Sequence, residues 1–268
     1  MKFLILSGKK NFMKNKLLQR VIWGIILLLL WQLLYWSGIF SEMVFPGLGV
    51  VLKSLYQSFL TGKLLQQLLF SFSIIIQGLI ISILLALILA LISYFSKIIA
   101  GLIDTLVALA HPLPGITLMP LVLIWFGAGK MAILVVIIHS VLWPLLLNLR
   151  TGFSSIPEIY ILIAQNYKLN KLKFLKQILI PASSPYFLAG MKIAWARSWR
   201  ALISAEMLFG AINSVGGIGW FIFQKRVFFD LPGVFSGILV IIFIGIIIED
   251  IIFDKIEEKT VHKWGMTQ

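Results

Sequence analysis

The chain has 268 residues, 60% of them hydrophobic and only 12% charged, with a mean hydropathy of +1.02. Soluble domains carry about 25% charged residues, so these values exclude a globular enzyme and describe a protein that buries most of its surface in a bilayer. The net charge of +13 does not point to nucleic acid, because the basic residues stand at the ends of apolar segments, and the absence of cysteine excludes disulfides and thiolate metal sites.

Lys2, Lys9, Lys10, Lys14, Lys16 and Arg20 precede the first charge-free run, 21–41. A basic stretch before an apolar core is also the plan of a signal peptide. This core is too long for one and no small-x-small site follows, so an uncleaved first span is expected. Further runs without Asp, Glu, Lys or Arg cover 64–96, 105–129, 131–149 and 231–248. Each approaches or exceeds the roughly 20 residues that cross about 30 Å of hydrocarbon. The predicted spans are 21–38, 69–95, 98–126 with a break, 131–149, 183–208 and 233–253. The chain then divides into an N-terminal segment 1–20, a six-span domain 21–253 and a tail 254–268. Six crossings put both ends on one side. Lys168, Lys171, Lys173 and Lys176 in the 151–181 excursion, with Lys255, Lys259 and Lys263 in the tail, make that side the cytoplasm.

Between the first two spans, Phe45-Pro46-Gly47 leads into Val50, Val51, Leu52, Leu55, Tyr56, Phe59 and Leu60. That spacing predicts a helix with one apolar face, lying on the membrane surface. Trp23, Trp31, Trp36, Trp125, Trp143, Trp199 and Trp220 fall mostly near span ends, as interfacial anchors do. His111-Pro112-Leu113-Pro114-Gly115 interrupts the third span. Two prolines so close remove backbone donors, giving either a simple turn or a broken helix that lines a pathway.

The excursion between the fourth and fifth spans reads as two short helices parallel to the membrane. Pro157 suits a first turn. Ile161, Ala164, Leu172, Leu175, Ile178 and Leu179 form an apolar stripe, with the lysines turned to water. Leu169 and Asn170 mark the turn between the helices, and Pro181 is expected to stop the second one.

This segment resembles the cytoplasmic coupling loop of binding-protein-dependent ABC transporter permeases. In that family Glu-Ala-Ala is followed about four residues later by Gly, and after a fixed gap by Leu-Pro or Ile-Pro. Ile180-Pro181 matches the end. Counting back places Leu162-Ile163-Ala164 on Glu-Ala-Ala and Lys168 on the Gly, so Ala164 and Pro181 match while the Glu and the Gly are absent. Asn170 is the residue expected to take the left-handed turn that the missing Gly would have made. Pro120-Leu121 through Gly129-Lys130, Ala205-Glu206-Met207 and Gly216-Gly217-Ile218-Gly219 resemble the same family, most closely its nitrate, sulfonate, taurine and bicarbonate branch.

The resemblance implies an all-α importer permease of the bacterial plasma or inner membrane, with about six spans and a coupling helix pair. ATP-binding subunits would dock through Leu162, Ala164, Tyr167, Lys168, Leu169, Asn170 and Pro181. An extracytoplasmic binding protein would meet 39–66 and 209–232. The permease would pair with a second copy and bind no cofactor itself, ATP residing on the partner. The chain accords with that division of labour: Gly127-Ala128-Gly129-Lys130 lacks the first glycine of a phosphate-binding loop.

Lys192, Arg197, Arg200 and Glu206 lie in the fifth span. Ionisable groups there face protein or water and often mark a pathway. Arg197, Arg200, Glu206 and His111 are therefore pathway candidates, and a cationic lining suits an anionic solute. The alternative has Lys192 and Arg197 reaching cytoplasmic headgroups, Arg200 paired with an acid, and Glu206 in an ion pair. His111 and His139 have no second ligand at helical spacing, so no metal site is expected. An ion-coupled secondary transporter is the rival function, but only one broken helix and no internal repeat are evident.

Overall fold

The computed structural model describes residues 16–210, 216–257 and 260, all of them helical or in short connections. The basic residues Lys2 to Lys14, Lys259 and Lys263 lie outside that range.

Helix α1 (Lys16–Trp36) stands at the periphery. Its apolar window is almost bare of protein contact, as a lipid-facing helix must be. Its C-terminal end is held by Trp31, whose indole N–H donates to the Pro46 carbonyl at 3.0 Å while the ring packs on Phe45 and Phe235. Arg20 pairs with Asp250 at 2.7 Å near the other end. Helix α2 (Leu48–Leu60) buries Val51 and half-buries Leu55 against the last span, leaving Val50, Leu52, Tyr56, Phe59 and Leu60 exposed. The predicted apolar face thus divides between protein and the outside.

The centre of the molecule is α6 (Lys130–Ser154), packed between α3 (Lys63–Phe95) and α9 (Ile180–Phe209). Small residues let these helices approach closely. Gly78 faces Ile137, Gly152 faces Tyr186 and Ser183, and Gly190 faces Leu145 and Asn148, each leaving no room for a Cβ. The buried core runs in two parts along this seam. One is built on Ile74, Ile133, Ile137 and Leu202, the other on Ala86, Leu145, Leu146, Leu149 and Leu179.

The third span is broken. Helix α4 (Lys97–Ala110) ends at His111, and after a 3₁₀ turn at Gly115–Leu118 helix α5 (Met119–Phe126) leaves at 87° to it. The loop 151–181 contains α7 (Glu158–Asn166) and α8 (Lys171–Phe174). Here the expectation for Pro181 fails. Rather than stopping, α8 continues through a π-helical turn, Leu175–Leu179, directly into α9. The wider turn passes the Ile180 N–H back to Leu175, absorbing the bonding lost at a proline that has no donor.

Helix α10 (Ile218–Val227) follows α9, and α11 (Leu231–Ile246) runs through a second π segment, Ile247–Phe253, to α12 (Asp254–Glu257). By length and apolar composition alone four helices qualify as spans, and the bent pair makes five. Helix α9 is long enough to cross, its 30 residues rising about 45 Å, but Lys192, Arg197, Arg200 and Glu206 keep it out of that count. Two tryptophans are not interfacial anchors. Trp199 is buried in mid-helix and stacks on Trp195 at 6.0 Å, and Trp143 lies in the middle of α6.

Candidate functional site

The 151–181 loop is ordered by its two turns. Pro157, in extended conformation, opens α7, and Glu158 sits in the first turn where the helix dipole favours an acid. The helix closes in a Schellman arrangement: the Leu169 N–H donates to the Ala164 carbonyl at 2.9 Å and the Lys168 N–H to Gln165 at 3.0 Å. That closure requires a left-handed residue, and it is Lys168, with φ 48°. The expectation for Asn170 is therefore corrected. Asn170 is extended and serves as N-cap of α8, its side-chain oxygen accepting from the Lys173 N–H at 2.8 Å. Lys168 stands where the resembling family has Gly, and the backbone keeps the conformation that Gly would take.

The same loop sorts the predicted docking residues. Leu162 and Tyr167 are exposed, Tyr167 to 78%, together with Ile159, Tyr160 and Ile163. Lys168, Lys171, Lys173 and Lys176 all face outward. Leu169 is half-buried and Pro181 exposed. Ala164 is buried, and its carbonyl accepts the closing hydrogen bond. Leu172, expected in the apolar stripe, is exposed instead. A cavity of about 650 Å³ lies beneath α7, between Pro157 and Tyr160 on one side and Gln177, Pro181 and Tyr186 on the other.

A second cavity, about 310 Å³, opens at the break in the third span. Three of the four pathway candidates meet there: His111, Arg197 and Arg200 line it, with Ser140 and Ser204. The break is held by α6. Trp143 donates its indole N–H to Nδ1 of His139 at 3.3 Å. Because indole can only donate, the His139 proton sits on Nε2, which donates to the Leu113 carbonyl at 3.1 Å. The carbonyl freed at the proline pair is thereby satisfied. Gly115 passes so close to the Ser140 hydroxyl and the Val136 carbonyl that no Cβ fits. This is a broken helix rather than a simple turn.

The charges of the fifth span separate into distinct environments. Lys192 pairs with Asp254 at 2.8 Å, and Asp104 pairs with Arg150 at the end of α6. Arg197 and Arg200 are in no ion pair among the described residues, contrary to the expected acid partner for Arg200.

Glu206 does not reach this cavity. It is 1% exposed and makes no ion pair among the described residues. Its carboxylate accepts from the Ser71 hydroxyl at 2.7 Å and from the Gly219 N–H at 2.9 Å, while Ser71 accepts from the Ile218 N–H at 3.0 Å. The first turn of α10 is thus pinned to α3 and α9. Gly217 and Gly219 lie against the carboxylate and the Glu206 Cβ, which accounts for glycines in the 216–219 stretch. The neighbouring residues 211–215, part of the predicted binding-protein contact, lie outside the described range.

A helical membrane domain with a broken third span, a cationic cavity at the break and a short helix pair in the 151–181 loop has the organisation of a solute permease. Residues 48–262 match the family of binding-protein-dependent transport system inner membrane components, and the chain belongs to that family. It is 32% identical to the nitrate import permease protein of Leptolyngbya laminosa over 54% of this chain and 50% of that one. It is 30% identical to the bicarbonate transport system permease protein of Synechococcus elongatus, over the same shares. To the taurine transport system permease protein of Escherichia coli it is 25% identical, over 84% of this chain and 82% of that one. The chain thus spans about half the length of the first two relatives and most of the third.

Proposed function

We propose that this chain is the membrane-spanning permease subunit of an ATP-driven importer, forming the path for a small anionic solute. An extracytoplasmic binding protein delivers the solute to the outer segments around α2 and α10. ATP is bound and hydrolysed on separate cytoplasmic subunits, which dock on α7 and its closing turn. Two copies of the permease enclose the path in the plasma or inner membrane, with both ends of the chain cytoplasmic and lipid around the remaining faces. Neither nucleic acid nor a resident cofactor is involved.

The observation that carries this reading is the outer face of the loop. Ile159, Leu162, Ile163 and Tyr167 stay exposed on a helix whose closing turn is fixed by hydrogen bonds, beside four exposed lysines. An apolar patch presented on a rigid element with a polar rim is what a partner subunit needs. Movement of the docked subunits would be transmitted through the loop into α6 and α9, since α7 joins one and α8 runs into the other.

The test is co-purification with the cognate ATPase from a membrane extract. Leu162→Asp and Tyr167→Asp each place a charge on the patch and are expected to abolish association while the permease elutes unchanged. Association at wild-type level in both variants removes the docking assignment.

A further inference from the structure

The cavity at the break holds a cationic group whose charge the described protein does not neutralise. Arg197, Arg200 and Ser204 fall on one face of α9, at the i, i+3 and i+7 spacing, and all three line it. Arg200 and Ser204 are exposed and Arg197 is half-buried. Across the cavity stands His111, whose buried Nδ1 has no hydrogen-bond partner.

Three helices agree on the depth of this cluster. From Arg200 to Phe209, α9 rises about 14 Å; from Lys130 to His139, α6 descends about 14 Å; and from Lys97 to Ala110, α4 climbs about 20 Å from the other side. In a hydrocarbon layer about 30 Å thick these positions lie near the middle. Headgroups at either surface are too far for a guanidinium to reach comfortably, so reaching for phosphate at the interface does not account for Arg200. Charges at this depth face water, a counter-charge or a substrate.

We propose that the cavity is a binding site for a small oxyanion, planar or tetrahedral, held by the Arg197 and Arg200 guanidiniums. Ser204 and the ring of His111 complete its hydrogen bonds. Guanidinium presents parallel N–H donors that match two oxygens of such an anion, a pairing stronger than that with a single-point acceptor. The volume, about 310 Å³, lies at the lower end for ligand pockets and suits a small anion with some of its water rather than a nucleotide. His139 takes no part, because both of its ring nitrogens are already committed. The inference rests on the permease reading for its place along a transport path, but the binding itself can be measured without transport.

The permease is placed in nanodiscs of uncharged phosphatidylcholine, and thermal unfolding is followed while sodium nitrate, bicarbonate or methanesulfonate replaces gluconate at constant ionic strength. At least one of the three should stabilise the protein saturably. Arg197→Gln and Arg200→Gln should each weaken the apparent affinity about tenfold or more, since a charge-assisted bond is lost. Lys173→Gln, a cation on the cytoplasmic loop, should leave it unchanged. Should the arginine variants fold poorly, the wild-type protein supplies an independent readout: the same anion should protect Arg197 and Arg200 from phenylglyoxal, as mapped by peptide mass spectrometry. Absence of saturable stabilisation by all three anions overturns the site, as does equal weakening by Lys173→Gln or lack of protection at both arginines. Protection only by anionic phosphatidylglycerol added to the discs would assign the arginines to lipid and overturn it equally. If anion binding is lost while the chain still recruits its ATPase, this inference fails alone. If recruitment fails while binding persists, the permease reading fails and the site stands.

Discussion

Replacing Glu206 separates a structural carboxylate from a transport one. Its oxygens accept from the Ser71 hydroxyl and the Gly219 N–H at the start of α10, all within a buried environment. In Glu206→Ala the Gly219 N–H is left without a partner, at a cost of about 1–3 kcal/mol. The vacated side-chain volume adds a cavity term, bringing the loss to about 2–4 kcal/mol. Ser71 can turn its hydroxyl to its own helix, so it adds little. For a chain of this size 1 kcal/mol corresponds to about 2–4 °C, so the unfolding midpoint in detergent should fall by about 5–15 °C. Glu206→Gln keeps an oxygen for Gly219 and offers an N–H to Ser71, whose oxygen still has a free lone pair. Its midpoint should lie within about 2 °C of wild type, and uptake should be retained. The assay is intrinsic-fluorescence melting of the two variants, paired with solute uptake in the reconstituted transporter. Equal destabilisation by Ala and Gln, or stable Gln protein without uptake, would show that the negative charge itself is needed and would refute the clamp.

Lys168→Gly removes a side chain from a left-handed position that costs a non-glycine residue about 1–2 kcal/mol, partly offset by the greater freedom of Gly in the unfolded chain. Resistance of the loop to limited proteolysis should rise, whereas Lys168→Val should lower it. Asn170→Ala deletes the N-cap of α8 and should cost about 0.5–2 kcal/mol, seen as faster amide exchange at Lys173. Gly115→Ala drives a methyl into the Ser140 hydroxyl and the Val136 carbonyl and should cost about 1–3 kcal/mol in a melting experiment. Ser140→Ala in the same chain should recover part of that loss, the carbonyl contact remaining.

The spans were legible because charge-free runs of bilayer length leave little choice of structure, and α1, α3 and α6 lie within several residues of the predicted bounds. The proline pair announced the break at His111, although not its 87° angle. Local chemistry misled at the loop. Asn tolerates left-handed backbone but is equally a helix cap, and only the chain geometry shows that Asn170 caps while Lys168 turns. Pro181 signalled a stop that a π turn makes unnecessary. The remaining misses are long-range. Nothing near Glu206 in sequence names Ser71, 135 residues away, and nothing near His139 names the Leu113 carbonyl that occupies its ring. Arg197, Arg200 and His111 were each suspect as polar groups in apolar runs, but their meeting in one cavity depends on how α4 ends against α9.

The central claim is that a separate motor docks on α7, and the cysteine-free chain allows a direct measurement. Tyr167→Cys introduces one thiol at an exposed loop position, and Phe229→Cys, 89% exposed after α10, serves as the opposite-side control. In membranes containing the cognate ATPase, a short thiol-to-amine cross-linker should join the Tyr167→Cys permease to the ATPase in a single adduct. Phe229→Cys should give none. Cross-linking of the ATPase to Phe229→Cys, or its absence from Tyr167→Cys with the complex intact, would contradict the account.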